Sequence, residues 1–408
     1  MKKTTICMFL LKEIRYDARV QKEAKTLAKN GHKVLIFYIK KDNANFLYPG
    51  VTLVPFGKAQ VKHKNLSPKS RFLYSLKKPF RLVKNLLAYK RYLDFVIKWL
   101  LENGYKSDLA FHCHDLPALP IGLCCSAKFG GKVVYDSHEL YPEMTGRGSL
   151  EKIIYTLIES NLIKRADIVI SANEPRAEIM SKKYKISLPV VIKNYPDEEQ
   201  SNNANIKLRN QLGIEKETVI IIYIGGLQGG RALTNLVEAM NFIESGAVLL
   251  LIGYGNLTTA LKEKVEVEGL TERVIIMPPI NPSEIHGYLK QADLGVAFYE
   301  NISLNNWLAA PNKMYDYIMA DTPVLVGNQP GISEEVAQYN VGLICETLEP
   351  NAIAKTITKY ITNEGLIQKL KSNCKDNKQL FLWSTQEQKL LNIYSHLERG
   401  LLSCKKFA

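Results

Sequence analysis

The sequence predicts an α/β protein of two facing Rossmann-like domains, each built on a parallel sheet. Short apolar runs alternate with helix-length amphipathic segments from the start, the pattern of strands joined by helical crossovers. The pattern stops in the polar stretch 197–205 and then begins again. The 408 residues suffice for two domains of ordinary size.

In chain order, residues 4–11 read as a strand, 20–30 as a helix and 33–39 as a second strand, with Gly31 as the helix stop. Further strands are expected at 109–112, 132–136, 168–172 and 190–192. After the linker the strand runs are 219–225, 247–252, 273–277, 293–297, 323–326 and 342–345, with a helix at 235–244. The domains are thus 1–196 and 206–380, and 381–408 is expected to form helices that cross back to the first domain. Two such halves enclose a cleft, and ligands of parallel sheets bind at the carboxyl ends of the strands.

Composition narrows the class. With 46% hydrophobic and 23% charged residues, the chain can bury two cores and is not disordered. Its seven cysteines are scattered without metal-ligand spacing, which fits reduced thiols and a cytoplasmic location. Two lysines precede an apolar run at the start, but Lys12, Glu13 and Arg15 cut that run short, so a strand is expected and not a secretion signal. No run approaches the ~18 apolar residues of a membrane-spanning helix.

The net charge of +14 is uneven: residues 1–200 hold 35 Lys/Arg against 19 Asp/Glu, and residues 201–408 hold 19 against 21. An anionic partner of the first half is implied. The excess peaks between Lys58 and Arg91, which span eleven Lys/Arg and no acid, with Phe80, Val83 and Leu87 on one helical stripe. Such an element can lie on an anionic membrane surface, or be a solvated helix face. No recognised nucleic-acid motif accompanies it, so nucleic acid is not expected as a partner.

Four segments could carry chemistry. The strand ending at Tyr223 runs into Gly225, Gly226, Gly229 and Gly230, then Arg231 and a helix. Glycines admit a close diphosphate, the helix start offers N–H groups, and Arg231 supplies a charged fork. A second strand leads into Gly253 and Gly255, a weaker signal that tight turns often share. In the segment 311–326, Pro311 suits a first helical turn and Lys313 sits poorly there unless an anion is near. Asp316 follows on the same face, where it could accept from two ribose hydroxyls; the two could equally be a solvated Lys–Asp pair. In the first domain, the strand ending at Tyr135 presents Asp136, Ser137, His138 and Glu139, and a second loop presents His112, His114 and Asp115.

Taken together these segments resemble retaining glycosyltransferases of the GT-B fold, specifically glycosyltransferase family 4. The likeness is strongest at 223–231, 252–255, 292–295 and 311–326, and continues through 329–336 to the closing segment from Trp383 to Leu397. It implies that the second domain binds a nucleotide sugar and the first an acceptor, such as a saccharide or a lipid-linked saccharide of surface polysaccharide assembly. On that resemblance Arg231, Lys313 and His138 are catalytic candidates. Gly225, Gly226, Gly253, Asp316, Gly331 and Ile332 are donor-side candidates, and Asp136, Glu139 and His114 are acceptor-side candidates. No metal or other cofactor is expected, because cationic side chains and helix ends replace it.

One departure stands out. The family usually carries two acids eight positions apart; with Asp316 as the second, the first falls at Leu308. Glu300, Asn305 or Asn306 would have to substitute, or backbone and first-domain groups hold the sugar. Two rival readings share the frame: a non-hydrolysing sugar-nucleotide epimerase, which gives no reason for a basic first domain, and a donor-binding partner subunit without turnover. A dinucleotide-dependent dehydrogenase fits least, since no GxGxxG follows the first strand.

Overall fold

The computed structural model describes residues 3–15, 17–40, 48–57, 78–198, 206–244, 246–310 and 312–399. Pro311, most of the linker, residues 58–77 of the basic stretch, the side chains of 78–86 and the tail from 400 lie outside the described residues.

Two parallel sheets form the frame. The first contains β1 (Thr5–Leu10), β2 (Val34–Ile39), β3 (Val51–Phe56), β4 (Leu109–His114), β5 (Lys132–Ser137), β6 (Ile168–Ser171) and β7 (Val190–Val191), in the order β3-β2-β1-β4-β5-β6-β7. The second contains β8 (Val219–Ile224), β9 (Ala247–Ile252), β10 (Val274–Met277), β11 (Leu294–Ala297), β12 (Val324–Gly327) and β13 (Gly342–Cys345), in the order β10-β9-β8-β11-β12-β13. In each sheet the order turns back at the strand that begins it, β1 or β8, so a crevice opens at β1/β4 and at β8/β11.

β3 was not among the expected strands. It pairs with β2 from Val34↔Val51 to Ile39↔Phe56. It is an edge strand with Pro55 in it, only half-buried, so it has neither a continuous apolar run nor clean alternation.

The central strands are buried on both faces, as their unbroken apolar runs require. Helices Lys78–Glu102, Leu119–Phe129, Ser149–Leu162 and Glu174–Tyr184 cover one face of the first sheet. Helix Ala18–Lys29, started by the Asp17 carboxylate accepting from Val20 N at 3.2 Å, covers the other. There it meets helix Ser384–Glu398 from the far end of the chain, whose Leu390, Ile393, Tyr394 and Leu397 join the first domain's core. Trp383 Nε1 donates to Thr26 Oγ1 at 2.8 Å, and Tyr394 OH pairs with His112 Nδ1 at 2.8 Å.

The domains also meet directly. Glu335 of the second accepts from Tyr195 OH at 2.7 Å and Tyr315 OH at 2.9 Å, and pairs with Lys193 Nζ at 3.2 Å. Nearer the crevice, Asn173 Nδ2 donates to the Leu308 carbonyl at 3.1 Å, and Thr145 Oγ1 lies 2.9 Å from Ser303 Oγ. These contacts set the carboxyl ends of the two sheets facing each other.

Candidate functional site

On the second-domain side, β8 ends at Ile224 and the chain turns through Gly225 and Gly226. Gly253 packs its backbone against this turn: a Cβ on Gly253 would collide with the Gly225 carbonyl oxygen, and its φ is +151°. Close packing of two loops is therefore what demands glycine at 253.

Arg231 leaves the loop with its guanidinium 4.0 Å from the Tyr299 ring centroid and donates to Asn306 Oδ1 at 2.7 Å. Lys313, in the first turn of helix Asn312–Met319, reaches back so that its Nζ lies 3.9 Å from the Tyr223 ring centroid, beside Gly225. Neither cation has a carboxylate within ion-pair distance among the described residues. Burial and the neighbouring Arg231 push the Lys313 ammonium down to about 7, against a smaller pull from Asp316. Asp316 is raised to about 6 by burial, with Lys22 and Lys313 opposing the shift. Lys22 comes from the first domain, so Asp316 faces a cation across the cleft.

The N–H groups expected to be free at the helix after Arg231 are partly committed. Ala232 adopts φ +49°, and its N–H donates to Glu300 Oε2 at 3.1 Å. Glu300 is thus taken up in shaping that turn and does not line the cavity described below. Leu308, where the family places an acid, turns its side chain into the first domain's core. Ile332 likewise buries its side chain in the second domain's core, and Gly331 (φ +83°) packs against Pro175 of the first domain.

On the first-domain side, His138 stands at the carboxyl end of β5. Its Nε2 is 2.8 Å from Asp136 Oδ2 and its N–H donates to Asp115 Oδ1 at 3.1 Å. Burial disfavours its charge, but Asp115 and Asp136 outweigh that and raise the imidazole to about 9. Asp136 and His114 do not reach the cleft, contrary to the acceptor-side expectation. Both lie buried behind His138: they share its face of the sheet, one step back along the strands, and Arg19 of helix Ala18–Lys29 covers Asp136 there. Arg19 Nε and Nη2 bind the Asp136 carboxylate at 2.8 and 2.7 Å, and Arg19 Nη1 donates to the Ile192 carbonyl at 2.6 Å.

Behind them, Glu23, His112, His114 and Asp136 bring one ligand atom each within 4.8 Å of one another. A divalent cation fits this set poorly. Arg19 already bridges Glu23 and Asp136, at 3.1 Å from Glu23 Oε1, and His138 is a second cation there. Burial and the Asp136 charge push the Glu23 carboxyl well above the usual carboxylate range.

Between the two sides lies a cavity of about 320 Å³ lined by Lys12, Asp17, His138, Glu139, Arg176 and Asn194 of the first domain and by Arg231, Tyr299, Asn305, Asn306 and Asn312 of the second. Such a volume is in the range of small-molecule sites. Glu139 spans the cleft: it accepts from Asn305 Nδ2 and meets Arg176 Nη2 at 3.4 Å. Asn194 Nδ2 donates to Asn312 Oδ1 at 2.9 Å. Of the expected residues, His138, Glu139 and Arg231 line this space; Lys313 stands beside Gly225, and Asp316 follows it three residues along helix Asn312–Met319. Lys22, Arg176 and Asn194 were not singled out, since each lies in a helix or loop with no local motif.

With this geometry in hand, the comparisons are consistent. Residues 205–380 match the family described as Glycosyl transferases group 1. The chain is 22% identical over 194 residues to "Uncharacterized glycosyltransferase MJ1607" of Methanocaldococcus jannaschii, a match covering 46% of this chain and 48% of that protein. It is 21% identical to the D-inositol 3-phosphate glycosyltransferase of Corynebacterium glutamicum, covering 74% of this chain and 70% of that one. The match thus spans about half the length of the first relative. Among solved structures, sucrose-phosphate synthase (tll1590) from Thermosynechococcus elongatus superposes with a TM-score of 0.74 at 17% identity, covering 97% of this chain and all of that one. Anabaena Alr3699/HepE in complex with UDP superposes with a TM-score of 0.70 at 16% identity, covering 96% of this chain and 100% of that chain. The fold is GT-B, and the second domain matches the glycosyltransferase family model along its length.

Proposed function

We propose that the protein transfers a hexosyl-type sugar from a nucleoside diphosphate sugar to a saccharide or lipid-linked acceptor, with retention at the anomeric carbon. One observation carries this reading: in the domain that matches a glycosyltransferase family, Lys313 stands beside Gly225 with Arg231 close enough to disfavour its charge, and among the described residues neither has a carboxylate within ion-pair distance. Half-buried cations with no acid beside them favour an anion that completes them. A donor diphosphate is such an anion, and Asp316 one turn along is positioned for ribose hydroxyls. Anabaena Alr3699/HepE was solved with UDP and with UDP-glucose, which makes UDP-sugars the first donors to try.

As the glycosidic bond stretches, negative charge grows on the leaving diphosphate, and the two cations stabilise it without reorganising. The acceptor hydroxyl attacks from the same face, and its proton passes to the departing phosphate oxygen. His138, held protonated on the opposite wall, donates to the sugar and not to the leaving group. In this reading no metal takes part. The acceptor belongs to surface polysaccharide assembly, and the stretch between Lys58 and Arg91 draws the enzyme to an anionic membrane surface.

The experiment is a donor assay with and without acceptor. Nucleotide release that requires acceptor, with no epimer formed in its absence, supports transfer; an epimer would replace this reading with the epimerase. A donor-binding subunit without turnover is favoured by one feature, the burial of Leu308 where the family keeps an acid. Donor binding with neither transfer nor hydrolysis would select it.

A further inference from the structure

Helix Ser149–Leu162 is turned inside out. Its one deeply buried residue is an acid: Glu159, 2% exposed, accepts from Tyr135 OH and Tyr184 OH, each at 2.6 Å. On the opposite side Leu150, Ile153, Ile154, Leu157 and Ile158 stand in solvent, 70, 57, 45, 59 and 40% exposed. Steps of three and four residues put all five on one stripe, the stripe a helix of a globular domain normally buries. The other exposed large apolar side chains among the described residues are scattered, which is ordinary; a contiguous stripe is not.

We infer that this stripe docks on an anionic lipid surface, with the helix lying in the plane of the interface. Charge favours lipid as the occupant. Exposed Lys164 and Arg165 follow directly after the stripe, and exposed Lys90 and Arg91 stand on helix Lys78–Glu102 in the same helical layer. The first 200 residues hold the whole positive excess of the chain. A second copy of the chain would bring these cations against themselves. Five side chains on one helix also fall short of the ~800 Å² per partner of a stable dimer. The helix starts beside the cleft: Leu140 N donates to Asn305 Oδ1 at 2.8 Å, and Thr145 meets Ser303 across the domains. An acceptor carried in lipid therefore arrives at the cleft's rim. The apolar stripe itself, with Lys164 and Arg165, lies outside the basic stretch and outside the donor site.

The test is co-sedimentation of the full chain with phosphatidylcholine vesicles, with and without phosphatidylglycerol, at low and high salt. Wild type is expected to bind the anionic vesicles, and Ile153→Glu with Leu157→Glu to lower the partition about tenfold or more. Ile153→Ser with Leu157→Ser, which adds no charge, is expected to lower it in the same direction. Charge reversal of Lys77, Lys78, Arg81 and Lys84 is expected to lower binding only at low salt, because screening removes that contribution and leaves the stripe's. Unchanged nucleotide binding by the stripe variants would show that they fold and that the donor site is separate. No binding by wild type, equal binding by the stripe variants, or a wild-type dimer that these variants make monomeric would overturn the inference.

Discussion

Two groups of charges face each other across the cleft in opposite states. In the first domain, Arg19, Asp136, His138 and Asp115 satisfy one another: the guanidinium binds the Asp136 carboxylate through two nitrogens, and the imidazole sits between two acids. In the second, Arg231 and Lys313 lean on aromatic faces, and among the described residues no acid lies within ion-pair distance of either. A completed network holds a shape, whereas an uncompleted one waits for a ligand. The difference separates positioning from binding more sharply than residue type does, since an arginine stands in each group.

Breaking the completed side should cost the most stability. Arg19→Met leaves Asp136 buried without its cation, and a loss of about 3–5 kcal/mol is expected, read as a lower midpoint in urea unfolding. Breaking the open side should cost function instead. Arg231→Ala is expected to lower kcat/KM by about 2.7–4 kcal/mol, a hundredfold to a thousandfold, with little change in thermal midpoint. A stability loss as large as that of Arg19→Met would erase the contrast.

The two sides should also differ in how pH acts on them. A diphosphate needs the ammonium form of Lys313, whose value of about 7 in the free protein rises once an anion binds. Nucleotide affinity should therefore fall by up to ~tenfold per pH unit above about 7, with proton uptake visible by calorimetry in buffers of different ionisation enthalpy. Lys313→Arg should flatten that dependence. His138 is raised above its unfolded value, so its stabilisation is complete below about pH 6.5 and is lost as pH rises through about 9. The thermal midpoint should drop over that window, by on the order of 1–3 kcal/mol of stability, and His138→Gln should shrink the drop. This is the smallest of the four effects, and the one in which Glu23, its carboxyl pushed well above the usual range, adds in the same direction.

Much of this was legible in the chain. The apolar runs mark every strand but β3, whose Pro55 and half-exposed edge position hide it. The glycine turn, Arg231, Lys313, Asp316 and His138 announce themselves as motifs because each sits just after a strand or at a helix start. What the residues could not convey is which strand-end side chains a neighbouring helix covers: Asp136 and His114 read as surface groups and are buried behind His138. Partners drawn from distant segments carry no local signal either. The charge of Lys22 acts on Asp316 from the first helix, and Asn305 ties the second domain to Glu139. The missing acid at Leu308 was visible, but its cause, a loop that packs into the other domain, needed the fold.

The central claim is that a nucleoside diphosphate completes Arg231 and Lys313. A thermal-shift panel of UDP, GDP, ADP and CMP against wild type, Arg231→Ala, Lys313→Ala and Asp316→Ala addresses it most directly. The account predicts that one diphosphate stabilises the wild type and that each substitution abolishes or sharply reduces the shift. No shift with any nucleotide, or a shift that survives all three substitutions, would contradict it.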